Sequence, residues 1–193
     1  MSQAEKAAES KRPYEETFYW LQTLVTAIVC ITLIFTFLGR ITRVVGHSMD
    51  PTLSEGELML VWSLGYQPRQ GDIVIANKTT QECSDLLGGE AIVKRVIATG
   101  GQSVDIDYDN NLVYVDGQPL QEDYILEEMW WPTWNYDMMQ THWDVPEGSV
   151  FLMGDNRNGS TDSRHTAVGT VDNSYLLGKA IFIFFPFDRI GLV

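Results

Sequence analysis

Basic residues are scarce in this chain. Thirteen lysines and arginines stand against 26 acids, a formal net charge of −13 over 193 residues. Such a surface repels phosphates and lays down no electrostatic footprint for DNA or RNA, so a nucleic-acid partner is excluded. A solvated acidic face is the plainer meaning of the charge, ahead of a basic partner. Cysteine is nearly absent: Cys30 lies inside an apolar run and Cys83 far outside it. An internal disulfide is therefore not expected, and Cys83 reads as an incidental loop thiol. No cysteine–histidine group has zinc-ligand spacing, and neither a metal nor another cofactor is expected. Internal repeats are lacking. Beyond Leu38 no long stretch carries the periodicity of an amphipathic helix. A hydrophobic content of 45% is that of an ordinary globular chain, which excludes a disordered or collagen-like one.

Charge is also missing from one particular place. Phe18 to Leu38 holds no charged residue. As a helix rising about 1.5 Å per residue it spans ~30 Å, the thickness of a hydrocarbon core. Tyr19 and Trp20 sit at one edge, where amphipathic rings favour the interface, and Gly39-Arg40 closes the other. Threonines and Gln22 make the run less greasy, and helical threonines offset this by bonding back to the preceding turn. A cleaved signal sequence would have an apolar core of about 7–15 residues ending in small residues. This run is longer and ends at Phe-Leu-Gly-Arg, so an uncleaved anchor is expected. Lys6, Lys11 and Arg12 before it against Arg40 and Arg43 after it give only a slight positive-inside bias toward a cytoplasmic N-terminus.

After the anchor, β-branched and apolar runs alternate with turn signals. Strands are expected at 57–62, 72–76, 91–98, 103–106, 112–115, 150–153 and 177–185, the last stopped by Pro186. Asp109-Asn110-Asn111 marks a hairpin and Asp116-Gly117-Gln118-Pro119 a turn. The fold class is therefore mostly β: one N-terminal transmembrane helix, then a coiled antiparallel sheet carrying a small β insertion. The expected division is a tail over 1–17, a span over 18–38, a main domain over 44–101 and 148–193, and an insertion over 102–147. Trp130, Trp131, Trp134 and Trp143 cluster in sequence with Met129, Met138 and Met139. A small aromatic core is favoured there over a surface resting on lipid headgroups.

Two side chains suggest chemistry. Ser48 lies in Gly46-His47-Ser48-Met49-Asp50-Pro51-Thr52, ten residues after the span ends at Leu38. Serine is a weak nucleophile until a base takes its proton, and a neutral lysine is such a base. Lysine titrates near ~10.4 in water, and burial lowers this by several units. On a strand, Lys94 shares a face with Ile92 and Val96, while Arg95 points away with Val93 and Ile97. Taken singly, Ser48 is a turn serine and Lys94 an edge lysine snorkelling to solvent. A third motif changes the balance. Gly154 to Arg164 packs turn formers, two acids and two arginines into eleven residues. It suits a rigid loop with Asp155 or Asp162 clamped by Arg157 or Arg164. Its spacing lacks the terminal glutamate of a calcium-binding EF-hand. His47 adjoins the serine, but on a strand it would face away from the site. His165 could sit nearer.

The chain resembles the type I signal peptidase family, the bacterial membrane serine proteases with a Ser/Lys dyad. Four blocks occur in that family's order: Ser48-Met49-Asp50-Pro51-Thr52, Gly71-Asp72-Ile73-Val74, Lys94-Arg95-Val96-Ile97 and Gly154 to Arg164. The likeness runs from the span to the C-terminus and includes Tyr114 to Leu120. It implies Ser48 as nucleophile and Lys94 as general base. It implies that Ser160 hydrogen-bonds and orients the lysine amine, and that Asp162 and Arg164 brace the site. The Ser48 N–H is the implied oxyanion donor. Some members add a serine hydroxyl two residues earlier, where this chain has Gly46. Losing one such donor costs about 10²–10³ in turnover. Thr99-Gly100-Gly101-Gln102 replaces the family's Leu-Pro-Gly-Asp, and 79–90 looks like a local insertion. A related eukaryotic branch uses histidine where Lys94 stands, so histidine is not expected as the base here.

The resemblance implies a single-pass enzyme of the cell membrane with its catalytic domain on the extracytoplasmic side. It would be a monomer whose partners are the lipid bilayer and the signal peptides of preproteins, cut after small residues such as Ala-x-Ala. Two other readings stand beside it. A self-cleaving repressor-type Ser-Lys protease would need a DNA-binding domain where Phe18–Leu38 stands. A non-catalytic anchored β module would bind partners through its tryptophan-rich segment.

Overall fold

The computed structural model describes residues 3–37, 39–78, 82, 85, 87–130 and 140–193. Trp131, Trp134, Met138, Met139 and half of the expected insertion at 79–90, Cys83 included, lie outside the described residues. The chain divides into two compact units, Met1–Gly39 and Arg40–Val193.

The first unit is one helix, α1, Gln3–Phe37. It includes most of the tail over 1–17, so the polar N-terminal residues extend the helix. Tyr14–Leu33 is long and apolar enough to cross a membrane and none of that window is buried. Thr23 and Thr32 donate their hydroxyls to the carbonyls of Tyr19 and Ile28, each at 2.8 Å. Each hydroxyl thus finds an acceptor within the helix and needs none from lipid.

The second unit is built from two antiparallel sheets. Its strands are β1 Gly39–Arg43, β2 Leu58–Trp62, β3 Ile73–Ala76, β4 Ile92–Thr99, β5 Ser103–Asp107 and β6 Leu112–Val115. Then come β7 Gln118–Pro119, β8 His142–Asp144, β9 Ser149–Met153, β10 Val171–Asp172, β11 Leu176–Phe185 and β12 Gly191–Leu192. The larger, curled sheet has the order β1-β2-β11-β3-β4-β9-β10, with β12 added on β11; the smaller has the order β7-β6-β5-β8. All seven expected strands are present. Of the strands not foreseen, β7, β8, β10 and β12 have three residues or fewer, too few for a period-2 pattern, and β1, Gly-Arg-Ile-Thr-Arg, carries a single apolar side chain.

Burial explains how the sheet holds its register. Every residue of β3 is buried. Ile73 and Ile75 enter one core with Met49, Leu53 and Met59, while Val74 and Ala76 enter another with Val96, Val150 and Leu152. A strand covered on both faces reads as a continuous apolar run, which Ile-Val-Ile-Ala is. β9 is shared the same way. Val150 and Leu152 join the second core, whereas Phe151 and Met153 join a third with Ile97, Trp143 and the inward side chains of β5 and β6. The small sheet is therefore seated on β4 and β9 through a common core. Trp143 packs on Phe151 with ring centroids 5.1 Å apart, and Met129 is buried in the same cluster. Trp130 is exposed. The aromatic-core expectation holds for Trp143 and Met129 but not for Trp130.

Candidate active site

Ser48 stands in a turn that follows β1, not on a strand. Met49 and Leu53, both buried, pin this segment to the core beside Ile73 and Ile75. Lys94 lies opposite Val74 on β4. The two segments meet: Lys94 Nζ is 2.7 Å from Ser48 Oγ and donates to its neighbouring Val93 carbonyl at 3.0 Å. Lys94 is buried, with 3% of its surface exposed. Burial pushes its amine down to about 8; the Arg164 cation pushes the same way, against the charges of Asp162 and Asp155. A substantial neutral fraction therefore exists just above neutral pH, poised to accept the Ser48 proton.

The loop over 154–164 surrounds this pair. Asp162 is fully buried. Burial alone would raise its carboxyl, but the Arg164 guanidinium, the Gly154 N–H and Ser160 outweigh it and hold the group below the usual carboxylate range. Arg164 grips it with Nε at 2.8 Å and Nη2 at 2.9 Å. This matches one of the expected clamps. Asp155 departs from expectation, because its clamp is Arg95, with Nε to Oδ1 at 2.8 Å and Nη2 to Oδ2 at 2.6 Å. Thr52 Oγ1 donates to the same carboxylate at 2.5 Å. One buried acid thus ties the turn of the serine, four residues before Thr52, to the strand of the lysine, one residue before Arg95. Arg157 goes elsewhere, to Glu122.

Ser160 behaves differently from the resemblance. Its hydroxyl is buried and closes no hydrogen bond, although it lies near enough to Asp162 to favour that charge. The lysine's described partners are Ser48 and the Val93 carbonyl. His47 is not bonded to Ser48, though for a different reason than expected. The strand argument fails because 46–50 is a bend and turn. His47 borders the groove, with Nδ1 3.0 Å from Asp50 and Nε2 3.3 Å from Glu55. Its ring is engaged by those acids, whereas Lys94 is the side chain bonded to Ser48.

Gly154 shows how tightly the loop is fitted. A Cβ there would collide with the Ser48 carbonyl and the Ser160 hydroxyl and lie 2.6 Å from Ser160 Cβ. The Asn156 N–H donates to the same Ser48 carbonyl at 3.1 Å. Gly154→Ala is therefore expected to displace the serine turn and to lower turnover by roughly 10²-fold, the usual cost of a misplacement near 1 Å. Steady-state cleavage by the folded variant checks this. Gly46 has φ +81° with open space around its missing Cβ, so it tolerates a side chain sterically but not conformationally. Among the described residues, the Ser48 N–H donates to no acceptor.

A groove of about 500 Å³ opens over the pair, lined by residues of 42–48, by Leu87 and residues 90–94, and by Ile75, Gly159 and Thr161. β9 pairs with β4 only from Arg95 onward. On that side, Ile92–Lys94 has no strand partner among the described residues, leaving a short open edge at the groove. Ser48, Lys94 and the Gly154–Arg164 loop stood out only in combination, and nothing local marked Glu122, whose partner Arg157 is 35 residues away.

A family model described as "Signal peptidase, peptidase S26" matches residues 17–185. The chain is 39% identical over 174 residues to a protein described as probable signal peptidase I-1 of Synechocystis, covering 87% of this chain and 82% of that protein. Similarity to a second Synechocystis protein, probable signal peptidase I-2, is 33% over 199 residues, covering 98% and 83%. Signal peptidase I of Bacillus licheniformis is 33% identical over 183 residues, covering 90% and 91%.

Proposed function

The chain belongs to the signal peptidase family S26, whose activity is the removal of signal peptides from preproteins, and on that premise we propose that Ser48 is its nucleophile and Lys94 its general base. The observation that carries this reading is the 2.7 Å separation of Ser48 Oγ from a buried amine. Neutral Lys94 takes the hydroxyl proton as Oγ attacks the scissile carbonyl, then returns a proton to the departing amine. The Ser48 N–H donates to the developing oxyanion. With Gly46 in place of a serine, any second donor has to come from backbone. Asp162 and Arg164 brace the loop behind the dyad, and Ser160 turns its hydroxyl to the amine when the lysine is charged.

The substrate enters as an extended strand along the open edge of Ile92–Lys94 and drops alternate side chains into the groove. Ile75, Ile92 and Val93 line that groove, and their bulk selects small residues at the first and third positions before the cut by steric exclusion. The N-terminal helix is the anchor, with the N-terminus in the cytoplasm and the β unit on the extracytoplasmic side. Such an anchor keeps the enzyme on the surface where preproteins arrive, which raises effective concentration. The enzyme works as a monomer, with residues 102–147 an insertion in the catalytic β domain.

The test is cleavage of a labelled preprotein by the detergent-solubilised protein across pH. With an amine near 8, kcat/KM is expected to climb through about pH 8 and level off above it, as the lysine loses its proton. The Ser48→Ala control should give no product at any pH. A flat profile between pH 6 and 9, or product from that control, rejects the dyad.

A further inference from the structure

We infer that the segment 122–130, arriving from the small sheet, positions the catalytic loop, with Glu122 as its main positioning residue; this rests on the Ser48–Lys94 reading. The segment has no regular secondary structure, yet it tracks the loop residue by residue. Glu122 receives both Nη atoms of Arg157, at 2.9 and 2.5 Å. The Tyr124 ring lies under the Arg95 guanidinium, 3.9 Å from its centroid, and its hydroxyl donates to Glu122 at 3.1 Å. The Leu126 N–H donates to the Asp155 carbonyl at 3.1 Å. The Trp130 N–H donates to Asn158 Oδ1 at 3.1 Å, and Asn158 Nδ2 returns a bond to the Glu128 carbonyl at 2.9 Å.

These contacts end on the groups that hold the dyad. Arg157 donates through Nε to the Gly154 carbonyl at 3.1 Å and accepts Arg164 Nη2 on its own carbonyl at 2.6 Å. Gly154 is the residue with no room between the Ser48 carbonyl and Ser160. Arg95, stacked on Tyr124, holds the Asp155 carboxylate that links the serine's turn to the lysine's strand. A bidentate, desolvated carboxylate–guanidinium pair fixes direction as well as distance, and both partners are buried, with 8% and 1% of their side chains exposed. Nothing in 122–130 lines the groove. Loss of the fixture should therefore slow the chemical step without weakening substrate binding.

The experiment compares Glu122→Gln, Glu122→Asp, Tyr124→Leu and Tyr124→Phe in the full-length, detergent-solubilised protein, with kcat and KM measured separately and folded fraction read from cooperative unfolding. Glu122→Gln and Tyr124→Leu are expected to lose roughly 10–100-fold in kcat with KM within about twofold, while Glu122→Asp and Tyr124→Phe recover most of it. Should Glu122→Gln not fold, Tyr124→Leu, which leaves no charge unpaired, carries the test. The inference is overturned if kcat stays near the parent value, if KM alone rises, or if the loss only mirrors a smaller folded fraction. Ser48→Ala and Lys94→Met run alongside. Residual cleavage by either condemns the dyad, whereas inactive controls beside unimpaired Glu122 and Tyr124 variants condemn only the positioning role.

Discussion

Lys94→Met should abolish cleavage and at the same time make the protein more stable. The activity loss follows from removing the only described group in contact with Ser48 Oγ that can take its proton, and catalytic-unit knockouts cost about 10⁴-fold or more. The stability gain follows from burial. In the unfolded chain the amine titrates at its ordinary 10.5, and in the fold at about 8. Between those values the unfolded state holds the proton and the native state does not, so stability rises with pH across that window. Below about pH 8 both states are protonated, and the native state carries the full cost of a desolvated amine, on the order of 3 kcal/mol. Methionine fills similar space with no such cost. The variant should therefore melt higher than the parent at pH 7, with the difference shrinking from pH 8 and gone above about 10.5. Thermal unfolding of both proteins over pH 6–11 checks it. An advantage that grows with pH would contradict the assignment.

Asp155→Ala should lose stability as well as activity. The carboxylate is fully buried and binds Arg95 through both oxygens as well as the Thr52 hydroxyl. Its removal leaves a guanidinium only 12% exposed without a counter-charge, and breaking a buried pair from one side costs about 3–5 kcal/mol. That is about a fifth or more of a typical domain's net stability. Because the same carboxylate joins the two halves of the dyad, activity should fall further than the folded fraction. Denaturant unfolding and turnover per folded molecule separate the two effects. Loss of activity strictly in proportion to folded protein would mean that Asp155 supports the fold and not the geometry.

What could be read in advance divides along physical lines. Strands of four residues or more with apolar alternation, and the fully covered run of β3, were legible because burial leaves a pattern in the sequence. Lys94 was not legible from its strand alone, where a snorkelling edge lysine is the plainer reading; the Gly154–Arg164 loop and the family resemblance singled it out. Family S26 membership answers the two competing readings, the self-cleaving repressor and the binding module, in favour of a signal peptidase. The partners of the charged residues were not legible. Arg95 was expected only to point away from Lys94; that it would take Asp155 depends on the β4–β9 register, Arg95 opposite Met153, which no local signal encodes. Arg157 could have served either loop acid, and instead reaches a glutamate brought close by the small sheet. The His47 ring does go to Asp50 and Glu55 and not to Ser48, but strand alternation is not the reason. The chain turns at Gly46, where φ of +81° suits glycine.

The two-sided burial of β9 limits how this protein can vary in length. Phe151 and Met153, with Ile97 of β4, are covered by the small sheet and not by the large one. Trimming residues 102–147 back to a short connection would wet all three side chains, a loss of about 5 kcal/mol or more. At the hairpin tip only Asp109 and Asn110 are exposed and free of that duty, because Tyr108 beside them is buried in the same core. Additions are therefore tolerable at those two exposed residues, whereas shortening the sheet at its root is ruinous, because the chain would forfeit its own active conformation.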